Sequence, residues 1–207
     1  MKKYYLIFLL TIFYSSLQAQ EAIVKIATNY FRANPFTQEF SDFLDQLMHD
    51  PAIANKSLTK RTDTSLFSFM AEYKNHSPYT FLANRTEIKF YEKAVDVGDS
   101  TLVIDTVFIY QLIGYSYGKE GAENVKKEFE KFNKRFQKQF FSSQPGDLKK
   151  NDEIVGGMIN YFILGSTISP LGISWAKLDE FQNAFSILFR IKMEENNAVL
   201  PVAPDSR

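Results

Sequence analysis

Hydrophobic and polar positions alternate most clearly between Thr101 and Phe140. Leu102, Ile104, Phe108, Tyr110 and Leu112 share one parity, while Val103, Val107, Ile109, Ile113 and Tyr115 share the other. A strand apolar on both faces is a central strand. It breaks at Gly118 and feeds a run in which Ala122, Val125, Phe129, Phe132, Phe136 and Phe140 recur every three or four residues. That spacing puts them on one stripe of a helix, and the charged positions between them form a solvated face. Glu123 with Lys127 and Glu130 with Lys134 stand in the favourable i to i+4 order. Strand and helix are read as the packing nucleus, each buried Phe contributing roughly 1.5 to 3 kcal/mol.

Upstream, residues 20–33 suit helix and strand equally: Ile23, Ile26 and Tyr30 fit the first, Val24, Ile26 and Thr28 the second. Asn34 and Pro35 read as a cap and first helical residue. Phe36, Phe40, Phe43, Leu44, Leu47 and Met48 continue the stripe to His49, and Asp50-Pro51 stops the helix. Residues 52–63 carry no period and read as a loop. Strands are expected over Ser65 to Tyr73 and over Thr86 to Ala94, where Ile88 and Phe90 alternate with Glu87, Lys89, Tyr91 and Lys93.

Beyond the long helix, residues 142–152 read as an exposed loop on the turn chemistry of Pro145-Gly146-Asp147. Further strands are expected in Glu153 to Leu164, in Ile173 to Asp179 with the only tryptophan, Trp175, and at Phe185, Ile187, Phe189, Ile191 and Met193. The expected fold is α+β: a mainly antiparallel sheet of about five to six strands against two main helices, in the order helix, three strands, helix, two to three strands.

The ends add compartment. Lys2 and Lys3, an apolar run from Tyr4 to Tyr14 and small residues ending at Ala19 describe a signal peptide over residues 1–19. The apolar run is too short for the ~20 residues a membrane span needs, so the mature chain is expected to lack a transmembrane segment. Ser16, Leu17, Gln18 and Ala19 resemble the end of a bacterial export signal. Residues 20–195 form the expected domain, and residues 196–207, polar with Pro201 and Pro204, a disordered tail. The chain has no cysteine, which excludes disulfides, thiolate metal sites and a cysteine-linked lipid anchor. Its 24 basic and 24 acidic residues balance, so nucleic acid is not an expected partner.

The chemistry-bearing patterns are few. Gly118-Lys119-Glu120-Gly121 presents a strand-to-helix junction where backbone N–H groups face an anion, with Lys119 as the contact residue. The run GKEGAENVKKEFEKF resembles the GxxG loop and following helix of KH RNA-binding domains, which implies a nucleic-acid backbone clamp at Gly118 to Gly121. In that family the loop joins two helices, whereas here a strand precedes it. A phosphate-binding P-loop fails on spacing, since Gly114 and Gly118 are one residue too close and Glu120 replaces Ser or Thr. Asp42, Asp45 and His49 project from one side of the first helix and form the candidate metal set. Asp96, Asp99 and Asp105 surround a turn, where aspartates serve as turn formers.

No Gly-x-Ser-x-Gly elbow or His-Glu-x-x-His occurs. No cofactor is expected. The reading is a non-catalytic binding domain of the bacterial periplasm or cell surface, its partner an envelope protein, a glycan or an apolar ligand. Tyr79 and Tyr91, on or beside the wetter strand, are the candidate ligand contacts. A small envelope hydrolase or metal-dependent enzyme is the alternative. Ser100 and Thr106 follow aspartates in a pattern resembling that of glycosylated exported bacterial proteins.

Overall fold

The computed structural model describes residues 21–62, 65–74, 83–96, 104–140, 142–163 and 168–191. The signal peptide, the tail, Tyr79 and Ser100 lie outside them, as does the side chain of Thr106. Residues 21–30 are helical and are termed α1. The succeeding elements are α2 (Phe40–His49), β1 (Ile53–Thr59), β2 (Ser68–Tyr73), β3 (Arg85–Asp96), β4 (Ile104–Tyr117), α3 (Gly118–Phe136), β5 (Ser142–Lys150), β6 (Glu153–Phe162), β7 (Leu171–Lys177) and β8 (Gln182–Ile191).

The eight strands form one sheet in the order β1-β2-β3-β4-β8-β7-β6-β5, and every neighbouring pair is antiparallel. Two four-strand meanders therefore meet at a β4–β8 seam, and α3 bridges them in sequence. This corrects the expected five to six strands on two helices: the described residues form eight strands and three helices. The two strands absent from the expected order are the two edges. Residues 52–63, read as a loop, contain β1; residues 142–152, also read as a loop, contain β5 with Pro145 inside it. Proline is tolerated there because an edge strand has one side without a ladder partner.

The helices share one face of the sheet. Phe90, Phe108, Tyr110, Leu112, Phe185, Ile187 and Phe189 point to them and are buried. Phe40, Phe43 and Leu47 of α2 and Val125, Phe132 and Phe136 of α3 pack from the other side. Rings dominate this layer: Phe43 meets Phe90 at 5.0 Å edge-on, and Phe132 stacks on Phe185 at 5.2 Å. Such pairs add roughly 0.5 to 1.5 kcal/mol beyond the area they bury, which lets a chain without disulfides close its core. Within α1, Ile23, Ile26, Ala27 and Tyr30 are buried, and Phe31, just beyond it, packs on Tyr110 at 4.1 Å. The helical option for residues 20–33 is thus the one adopted.

Asn34 and Pro35 do not start α2. Asn34 instead closes α1, its Nδ2 donating to Thr28 Oγ1 at 2.8 Å and its Oδ1 accepting from the Phe36 amide at 3.0 Å, and α2 begins at Phe40. Glu128 departs from the solvated face expected of it in α3. It is buried, with Lys131 Nζ 3.2 Å from Oε1.

Candidate functional site

A mainly apolar groove of about 260 Å³ lies between α2 and β1. One wall is the flank of α2 carrying Ser41, Leu44, Asp45 and Met48, a stripe at steps of three and four beside the buried stripe of Phe40, Phe43 and Leu47. The other wall is Leu58, with Lys60 at the rim, and Phe67 lies between. Leu58 sits opposite Phe69 in the ladder and is partly buried against the core, so its side chain is on the helix side of the sheet. The lining is mainly apolar, and Met48 is 36% exposed.

Local sequence builds this groove from its two ends. Between Ala54 and Ser57 the β1–β2 register shifts, and Asn55 adopts φ 52. Asn tolerates that left-handed conformation better than most residues. The shift re-aims Lys56, whose Nζ donates to the carbonyls of Met48 at 2.6 Å and Asp50 at 2.9 Å. Both carbonyls lie at the C-terminal end of α2, the negative end of the helix dipole, and that of Asp50 also accepts from the Ile53 amide at 3.5 Å. Helix and strand are thereby pinned at that end.

The opposite end is fixed by Glu92 of β3. Its carboxylate is buried, accepts from Arg61 Nη2 through Oε1, and accepts from the Phe67 amide through Oε2 at 3.2 Å. Phe67 is held again by its own carbonyl, which accepts from the Glu92 amide at 3.0 Å. A buried carboxylate is tolerable only with such partners. Both ends of the groove are therefore tied by hydrogen bonds.

The candidate metal set stands on the same helix, with Asp45 also in the groove wall. His49 Nδ1 lies 3.0 Å from Asp45 Oδ1, both side chains mostly exposed, and Asp42 is exposed in the first turn. Among the described residues no three His, Asp or Glu side chains come together in a way that could hold a metal ion. Periodicity places the three on one side but does not make them converge.

Tyr91 lies on β3 beside Ile109 of β4, on the face away from the helices, and is half-buried. Burial raises its pKa, partly offset by the nearby Arg190 guanidinium. On the same face Arg85 bridges Glu72 at 2.9 Å and Glu87 at 2.8 Å and lies over the Tyr115 ring, while Tyr115 donates to Glu87 at 2.8 Å. That side of β3 is thus a network of paired charges, in which the buried Nε alone of the Arg85 nitrogens lacks a hydrogen-bond partner among the described residues. Lys119 is exposed at the start of α3. One amide of the N-terminus it marks is already engaged, since the Gly118 amide donates to the Phe181 carbonyl at 2.7 Å, and Glu120 sits in the first turn.

Two further features carry no sequence signal. A second cavity, about 410 Å³ and polar, lies between α1 and the end of α3, lined by Lys25, Arg135 and Lys138 among others. At the β7–β8 turn Phe181 is 71% exposed, yet its turn is stiff: Asp179 Oδ1 accepts from the amides of Phe181 and Gln182, both at 2.7 Å. These bonds hold the Asp179 pKa below its ordinary value.

Sequence reasoning missed the groove because one wall, Leu58, lies in an edge strand without alternation. Lys60 and Leu58, two apart after a polar Asn-Lys-Ser run, are the only trace. Among the described residues no helix is long and apolar enough to cross a membrane. No protein-family model, curated protein or solved structure matches this chain.

Proposed function

We propose that this chain is a non-catalytic binding domain, exported to the bacterial periplasm or cell surface, that takes an apolar group in the groove between α2 and β1. The groove itself is the observation that carries the reading: Leu44, Met48, Leu58 and Phe67 line a cavity held open by Lys56 at one end and the Arg61–Glu92 pair at the other. Preformed, mainly apolar concavities with a few polar groups at the rim are the usual form of ligand sites. Export rests on the pattern of residues 1–19 alone. The alternative reading, a small envelope hydrolase or metal-dependent enzyme, would use Asp42, Asp45 and His49 or the aspartates near Gly98.

The test uses 1-anilinonaphthalene-8-sulfonate as the probe. Its fluorescence is expected to rise saturably, and Met48→Gln, on an exposed helix flank, is expected to weaken binding roughly tenfold, about 1.4 kcal/mol, with an unchanged thermal midpoint. Leu58→Gln should act likewise. A rise absent from the native protein, or indifferent to both substitutions, removes the reading.

A further inference from the structure

The groove runs beside an open sheet edge. Among the described residues β1 pairs only with β2, and its regular part, Ser57–Thr59, lies opposite Ser68–Met70. An edge strand presents every second N–H and C=O outward, a template for another extended chain. A chain added there would place alternate side chains on the helix side, where Leu58 already points and where the flank of α2 forms the opposing wall. Main-chain pairing then supplies affinity, and the groove selects side chains.

Charge narrows the occupant. Lys56 is committed to the α2 carbonyls, Arg61 to Glu92 and Asp45 to His49. Lys60, at the groove rim, makes no ion pair among the described residues. An anionic group on the occupant therefore has one natural counterpart. A sugar finds no platform, since Phe67 is only 1% exposed and offers no ring face. An acyl chain would fill the groove but leave the edge of β1 unused.

We propose that the groove takes an extended peptide segment of a partner protein. It adds as a strand outside β1, with apolar side chains at alternate positions in the groove and a carboxylate opposite Lys60. This inference rests on the groove being a binding site, and the experiment separates the two.

A displayed library of random seven-residue peptides is panned on the full chain. The expected enrichment is alternating apolar and polar residues with one Asp or Glu. An enriched peptide, made synthetically, should slow amide exchange in residues 57–60 and lose roughly tenfold or more in affinity when its alternate amides are N-methylated. Lys60→Glu should weaken it by a similar factor. No enrichment, enrichment without alternation, or indifference to N-methylation overturns the peptide assignment. If dodecanoate or the anilinonaphthalene probe still binds in a Met48-dependent way, the groove reading survives that failure; if neither binds, both fall.

Discussion

Lys56 and Met48 are joined across an element boundary: the ammonium, carried by an irregular strand, donates at 2.6 Å to a carbonyl in the last turn of the preceding helix. The contact ties the geometry of β1 to that of α2. A charge-assisted bond of this kind is stronger than a neutral one, though partial exposure reduces its worth. Lys56→Met keeps the alkyl stem and removes both bonds. We expect a loss of about 1 kcal/mol in denaturant unfolding and faster amide exchange in the last turn of α2.

Arg61 and Glu92 differ in burial, the guanidinium being half-exposed and the carboxylate enclosed. Removing the exposed partner should therefore do the greater harm, because it strands a buried charge. Arg61→Met is expected to cost about 2 kcal/mol, and Glu92→Gln, which retains an acceptor for the Phe67 amide, about 1 kcal/mol. A double-mutant cycle checks the coupling. A double variant no less stable than Arg61→Met alone would place the penalty on the uncompensated carboxylate.

Alkaline stability should depend on tyrosines. Burial raises the pKa of Tyr161, whose hydroxyl donates to Asn133 Oδ1 at 3.1 Å, and Tyr110 is raised well above the ordinary value by its own burial. A raised folded-state pKa means that its stability contribution is intact below the unfolded value near 10. It is lost as pH climbs from there toward the folded value, at about 1.4 kcal/mol per pH unit for each such group. Tyr161→Phe should cost about 1 kcal/mol at neutral pH and flatten the decline above pH 10. Unfolding curves at stepped pH, with phenolate absorbance as a second probe, measure both.

Two glycines should separate sharply. A Cβ on Gly156 would fall 2.0 Å from the Trp175 carbonyl oxygen and 2.8 Å from Ala176 Cα, so the β6–β7 ladder itself would have to move. Gly156→Ala is expected to cost about 3 kcal/mol or more. Gly118 has φ +70 but open space around it, so Gly118→Ala should cost only the left-handed backbone, about 1 kcal/mol. Thermal unfolding of the two variants side by side tests the ranking.

The interior of this fold was legible in the sequence and its margins were not. β4, α3 and β8 carry their burial in the alternation of Tyr110 with Ile109, the Val125 to Phe136 stripe and the Phe185 to Ile191 parity. β5 is exposed along almost its whole length, so no parity is selected for burial, and in β1 the half-buried positions are Ala54, Lys56 and Leu58, of which only Leu58 is a large apolar residue. β5 also contains the Pro-Gly-Asp chemistry of a turn. The groove inherits that obscurity, being walled on one side by β1. The candidate metal set shows a related limit, since a helical repeat places Asp42, Asp45 and His49 on one side but does not say where their side-chain tips lie.

The seam between β4 and β8 has a consequence for how the molecule forms. β8 is the last of the described strands in sequence and also an interior strand of the sheet, paired with β4 from Phe108 to Tyr117 and with β7 on its other side. Until β8 is present, β4 is an uncovered edge with two apolar faces, and the second meander has nothing to dock against. Closure over such sequence distance is slow. The early strands must be kept from pairing with other chains while the last segment arrives, which makes an intermediate with β4 open the state a holding chaperone would recognise.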